Sequence, residues 1–199
     1  MACWFNVADV TNTHTLMCIT DTAGDNDYFS LQANGAASGD PVQAAARRSS
    51  SATSDKGAYT ANVWYHGAAV FASSTSRTAY LNGSAGTTNT TSIVPSSIDR
   101  NAIGVLRRAT PANPTIGKIA EAAIWSVALS AGEVASLAAG ANPMGIQPAS
   151  LLAYLPLITD VLDYKGVSWT DASTSSNAAH PTVSHPSRIA HLNRLLRAA

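Results

Sequence analysis

Charge is scarce in this chain. Aspartate, glutamate, lysine and arginine make up 12% of its 199 residues, where about 25% is usual for a soluble domain. The 12 acidic and 12 basic side chains cancel. A surface without a net field gives nucleic acid nothing to be drawn by, and that partner class is excluded. So weak a surface charge also leaves a free chain prone to association, which suits a subunit that works inside an assembly. Glutamate is scarcer still, represented by Glu121 and Glu133 alone. Cysteine occurs twice, at Cys3 and Cys18, without the Cys-x-x-Cys spacing of a zinc site. Both fall in expected strands, so a disulfide is geometrically open to them, but two buried free thiols are the favoured reading. No apolar run approaches the length of roughly 18 residues that crosses a membrane. Residues 1–10 lack the basic start and apolar stretch of a signal peptide, so the expected product is soluble and made in a cytoplasm.

What the chain does have is short alternating runs. Residues 2–7 and 15–20 read as strands joined through a turn at Asp9 to Asn12, and a third strand starts at Tyr28 and stops at Gly35. Residues 41–48 make a short strand, and residues 49–57 read as a loop rich in serine and threonine. Residues 63–72 carry the strongest pattern: Trp64, His66, Ala68 and Val70 alternate with Val63, Tyr65 and Phe71. Residues 77–81 pair back onto them, followed by the turn dipeptide Asn82-Gly83. Further strands are expected at 103–106, 117–126 and 151–157. Strands at this spacing, punctuated by glycine, asparagine, aspartate and proline, predict an all-β antiparallel two-sheet sandwich.

One helix interrupts the strands. Ser130 and Glu133 form a Ser-x-x-Glu capping box, Val134 and Leu137 supply the buried side, and Gly140 ends it. In the strand before it, Ile119, Ala123 and Trp125 are expected to share a face.

These segments carry a resemblance. Gly117 to Glu133 is similar to the Gly-x-Ile-x-Glu-x-x-Ile-Trp-x-x-x-Leu-Ser-x-x-Glu unit of concanavalin A-like, laminin-G-like sandwich domains. Asn62 to Phe71 resembles the family's strand with Trp, His and a closing Val-Phe, and Arg77 to Gly83 resembles its Tyr-Leu-Asn-Gly hairpin. Leu151 to Leu157 resembles its Leu-x-Ala-Tyr-Trp-Pro-Leu strand, with Leu155 where tryptophan is common. The resemblance implies a concanavalin A-like jelly roll over residues 1–158, then a polar loop region over 159–186 and a helical arm over 187–199. It also implies that the family's usual first strand is absent here or supplied by another chain, leaving an N-terminal edge to be capped. Domains of this kind are frequent among bacteriophage virion proteins, which makes the virion the expected location.

Glucanases of this fold use paired carboxylates in a Glu-x-Asp-x-x-Glu pattern. Here Glu133 is spent on its cap, and Glu121 has no second carboxylate two or four residues away, so a backbone group or an arginine is its expected partner and no catalytic residue is predicted. No serine sits in a Gly-x-Ser-x-Gly elbow. His66 is read as a satisfied histidine beside Trp64, and His180, His185 and His191 lack interleaved metal ligands. No cofactor is predicted. The oxygen-rich turn 21–27 offers Asp25 and Asp27 as weak calcium candidates, against the ordinary role of such residues in tying up backbone. Tyr28, Tyr80 and Trp169 are the aromatics a glycan could stack on if exposed. In the last segment, Ile189, Leu192, Leu195 and Leu196 form an apolar stripe beside Arg188, Arg194 and Arg197. This stripe is the expected partner-binding surface; packing on its own domain is the plain alternative, and a face with three arginines and no lysine is too weakly basic for a membrane.

The expectation from sequence is therefore a non-enzymatic virion structural module, a capsid decoration or fibre protein that binds other virion subunits and forms a homo-oligomer. The alternative is a lectin-like carbohydrate-binding adhesion module.

Overall fold

Period-2 alternation and closely spaced turns produce eleven strands among the described residues. In chain order they are β1 (Ala2–Val7), β2 (Thr13–Thr20), β3 (Tyr28–Asn34), β4 (Val42–Arg47), β5 (Ser51–Lys56), β6 (Tyr65–Ser73), β7 (Ser76–Leu81), β8 (Ser84–Ala85), β9 (Arg100–Ile103), β10 (Gly117–Trp125) and, after the helix α1 (Ala131–Ala138), β11 (Leu151–Leu155). The computed structural model describes residues 1–158, 163–171 and 180–183. All pairings are antiparallel, in a six-stranded sheet ordered β11-β10-β1-β6-β7-β8 and a five-stranded sheet ordered β5-β4-β3-β2-β9. The described residues form the expected two-sheet jelly-roll sandwich with one short α-helix.

Phe5, Val7, Leu16, Leu31, Val42, Leu81, Ile124 and Leu155 fill the space between the sheets, with Ala33, Ala44, Ala69, Ala79, Ala122 and Ala153 among them. So many alanines make this a thin core, in keeping with sheets packed face to face. A second apolar cluster lies on the outer side of the six-stranded sheet. There Ala68, Tyr80, Ala123, Trp125 and Tyr154 meet Leu129, Val134 and Leu137 from the helical segment. The capping box forms as expected: Ser130 Oγ accepts from Glu133 N, and Glu133 Oε2 accepts from Ser130 N. Gly140 closes the helix at φ +91°, its N–H bonding Leu137 O.

The structure corrects the sequence reading in four places. Residues 49–57 are not all loop, because β5 pairs along β4, Gln43 opposite Asp55 and Ala45 opposite Thr53. Its serines and threonines hide a strand that needs few apolar residues, being at the sheet edge. Ser54 turns inward and joins the two sheets, accepting from Ala79 N at 2.9 Å and donating to Thr87 O at 2.7 Å. The strand expected at 103–106 lies earlier, at Arg100–Ile103, and the chain turns away at Gly104 with φ +79°. The strand β1 is no open edge, since β10 flanks it on one side and β6 on the other, so no second chain is needed to cap it. Finally, Ile119 does not share a face with Ala123 and Trp125. Glu121 sits at φ +55° in an irregularity where the β1–β10 register slips, which sends Ile119 to the inter-sheet core and the other two to the helix side.

The predicted arm, with Arg188, Ile189, Leu192, Arg194, Leu195, Leu196 and Arg197, lies outside the described residues. Both cysteines are buried free thiols. No helix among the described residues is long and apolar enough to cross a membrane.

Candidate functional site

The two glutamates are both engaged in architecture. Glu133 caps α1. Glu121 is buried against β11, where Tyr154 Oη donates to its Oε2 at 2.6 Å, and His180 Nε2 stands 3.0 Å from its Oε1. These partners replace the backbone group or arginine that the sequence suggests. Burial pushes the Glu121 carboxyl up to about 8, with the Tyr154 hydrogen bond pulling the other way. Across a cavity of about 10 Å³, lined also by Trp4 and Val183, lies His66. That space holds no more than one water. His66 packs on Trp4 rather than Trp64, ring centroids 5.6 Å apart and edge to face, because Trp4 is its register partner in β1. Burial lowers the His66 imidazole to about 4. His185 and His191 lie outside the described residues. Among the described residues no group of three histidine, cysteine, aspartate or glutamate side chains is placed to hold a metal.

The acidic turn serves other loops. Asp25 accepts from Thr110 N at 2.7 Å and Thr110 Oγ1 at 3.0 Å, with Arg108 Nε 3.6 Å away. These hold its carboxyl below the usual carboxylate range, the Thr110 N–H most of all. Asp27 Oδ1 accepts from Ser96 N at 2.7 Å. Tyr28 and Tyr80 are buried, contrary to their nomination as aromatic platforms, and half-buried Trp169 donates from Nε1 to Asp163 Oδ2 at 2.8 Å. A cleft of about 230 Å³, lined by Ile19 and Phe29 of one sheet and Phe71 and Ile124 of the other, is mainly apolar.

The richest polar geometry lies where no single motif announced it, on the outer side of the five-stranded sheet. Alternation turns Thr13 and Thr15 of β2 outward, with Tyr28, Ser30, Gln32 and Asn34 of β3, Gln43, Ala45 and Arg47 of β4, and Ser51, Thr53 and Asp55 of β5. Four of these side chains form a continuous hydrogen-bonded row across four strands. Thr13 Oγ1 donates to Asn34 Oδ1 at 2.8 Å, Asn34 Nδ2 to Gln43 Oε1 at 2.9 Å, and Gln43 Nε2 to Asp55 Oδ1 at 3.0 Å. The carboxylate dictates the direction. Ionised Asp55 can only accept, so Gln43 must present its amide nitrogen there and its oxygen to Asn34. The same logic turns Asn34 oxygen-first toward the Thr13 hydroxyl.

The loop 104–115 shelters the β2 side of this surface. Leu106 packs with Cys18 and Tyr28, Cys18 Sγ donates to Val105 O, and Thr15 N donates to Asn113 O. Among the described residues the opposite side has no such loop over it, and Asp55 there is exposed. The sequence signal for this row was present as alternate polar positions in β3, β4 and β5. It becomes visible only once their register is known.

Comparison with known proteins agrees with this architecture. Residues 1–135 match the family model of the concanavalin A-like lectin/glucanases superfamily. No curated protein matches the chain. Among solved structures, the carbohydrate-binding module CBM40 of the Ruminococcus gnavus IT-sialidase, solved bound to α2,3-sialyllactose, is similar with a TM-score of 0.55 and 15% identity, over 69% of this chain and 80% of that one. A Bacteroides ovatus protein proposed to bind carbohydrate has a TM-score of 0.54 and 21% identity, over 86% of this chain and 46% of that one. The heptameric SAP-like pentraxin of Limulus polyphemus has a TM-score of 0.51 and 16% identity, over 69% of this chain and 67% of that one. At such identities these structures speak for the fold alone. The family model covers well over half of the sequence, and the chain belongs to the concanavalin A-like lectin/glucanases superfamily.

Proposed function

We propose that this domain is a non-catalytic carbohydrate-binding module whose glycan site is the outer face of the five-stranded sheet, toward the edge where Asp55 is exposed and Asn34 half-buried. The observation that carries the reading is the Thr13–Asn34–Gln43–Asp55 row. It is a set of planar amides and a carboxylate held in fixed orientation on a sheet face that no helix among the described residues covers. Sugar hydroxyls both donate and accept, and a preorganised row of amide and carboxylate groups complements them without first being ordered. The solved neighbours support the same direction, since one is a module seen with a sialylated sugar and another is proposed to bind carbohydrate. Catalysis is disfavoured because both glutamates are committed to buried or capping roles.

This reverses the order of the two functional expectations from sequence. The virion structural reading, with its homo-oligomer and virion partners, rests on motif resemblance and on a segment outside the described residues. None of the neighbours named above is a virion protein.

The test is a glycan array probed with the purified domain and with a Gln43→Ala/Asn34→Ala double variant. The expected result is binding to a restricted set of glycans, lost in the variant while its melting temperature stays within a few degrees of the parent. Absence of any glycan signal from a folded parent would sink the reading and return weight to the virion one.

A further inference from the structure

The direction of the polar row has a chemical consequence for the ligand, resting on the carbohydrate reading above. Each carboxamide carries two N–H donors. Gln43 spends one on Asp55 and Asn34 spends one on Gln43. The row uses neither second N–H; Asn34 is half-buried and Gln43 keeps 7% of its surface in contact with solvent, while the exposed Asp55 carboxylate, with Oδ1 taken by Gln43, has Oδ2 to offer. From Asn34 to Asp55 the surface therefore presents donor, donor, acceptor. A vicinal diol answers that pattern: one hydroxyl donates to Asp55 in a charge-assisted bond, and its neighbour accepts from Gln43.

The charges on this surface decide between classes of sugar. Outward positions on β3, β4 and β5 carry one anion, Asp55, and one cation, Arg47. Arg47 is already committed: its Nε and Nη2 donate to Asn26 Oδ1 at 3.2 and 3.0 Å, and its Nη1 stands 3.5 Å from Ser51 Oγ. It is also four residues along β4 from Gln43, a separation of about 13 Å at the usual strand rise. A sugar carboxylate seated on the row would face Asp55 with no free cation among the outward positions of β3, β4 and β5, and like charges placed together reject a partner. An uncharged pyranose meets no such penalty.

We infer that Asp55, at the end of the Thr13–Asn34–Gln43–Asp55 row, makes this face selective for uncharged sugars over acidic ones. The selectivity is then opposite to that suggested by the sialylated ligand of the Ruminococcus gnavus module.

Matched pairs of glycans test this directly: lactose against 3′-sialyllactose, and each neutral glycan that binds on the array against its sialylated counterpart. Dissociation constants are measured by calorimetry for the parent and for Asp55→Asn, with folding checked by circular dichroism and melting temperature. The expected result is that the neutral member binds at least about tenfold more tightly, a difference of one decade in Kd. Asp55→Asn, which keeps an acceptor for Gln43 but removes the charge, should bring the two members close together. Equal or tighter binding of the sialylated member, or a preference that Asp55→Asn leaves unchanged, overturns the inference while leaving the carbohydrate reading intact. A folded parent that binds no glycan at all fails the carbohydrate reading and this inference with it.

Discussion

A buried imidazole makes the clearest prediction at the scale of single residues. His66 is 2% exposed, its Nδ1 has no hydrogen-bond partner, and burial lowers it to about 4 from 6.5. The native state therefore resists a proton that the unfolded chain accepts. Stability from this residue is fully present above pH 6.5 and drains away as pH falls through 4. His66→Phe keeps an aromatic edge against Trp4 and removes the titration. Urea denaturation from pH 7 to pH 4 should show a shallower acid loss in this variant than in the parent; parallel curves would mean that His66 is charged without penalty. Arg77 is a second buried base, 1% exposed, and the sequence does not reveal it because an arginine near the start of a strand reads as surface. Its guanidinium donates to Asn89 Oδ1, Ser74 O and Thr91 O at 2.7 to 2.8 Å, so one side chain ties three points of loop backbone and side chain to β7.

At the scale of elements, what could be read in advance was what local pattern alone determines. The capping box of α1 follows from Ser130 and Glu133 being three residues apart, and it formed as the sequence implied. Ser130→Ala should cost about 1 kcal/mol, within the usual range for losing an N-cap. Since Glu133 shares the same reciprocal bonds, the Ser130→Ala/Glu133→Ala double variant should cost less than the two single changes added together. Thermal melts of the three variants measure this, and strict additivity would mean that the two residues act separately. Other features depended on partners far away in sequence. The strand β5 reads as loop by composition, and its identity comes from β4 and from the buried Ser54. The face reversal around Glu121 needs one residue at φ +55°, which no alternation rule anticipates in a glutamate. The polar row was illegible for the same reason. Its members come from four strands between positions 13 and 55, and no window of sequence contains them together.

At the scale of the whole molecule the two outer faces have different fates, one sealed by α1 and the other only partly roofed by the loop 104–115. The cysteines report on the space between the sheets and on the loop cover. Cys3 lies between the sheets, where burial pushes its thiol up to about 12, and Cys18 lies under the loop, where burial pushes it to about 11. A thiol reagent at pH 8 should label neither promptly in the native protein. Followed by mass spectrometry, Cys18 should react first, since lifting one loop exposes it, whereas Cys3 must wait for the sheets to part. Equal rates would show that the loop opens only with the whole domain. The row of amides, with its Thr13 end on the roofed side and its Asp55 end exposed, has a sense of travel, a hydroxyl at one end and a carboxylate at the other. A linear sugar chain also has two unlike ends. Laid across the strands, it meets different groups when turned around, so one polarity of the chain should be favoured. Such a surface would settle which way a glycan runs away from the domain, and so on which side the rest of that polymer lies.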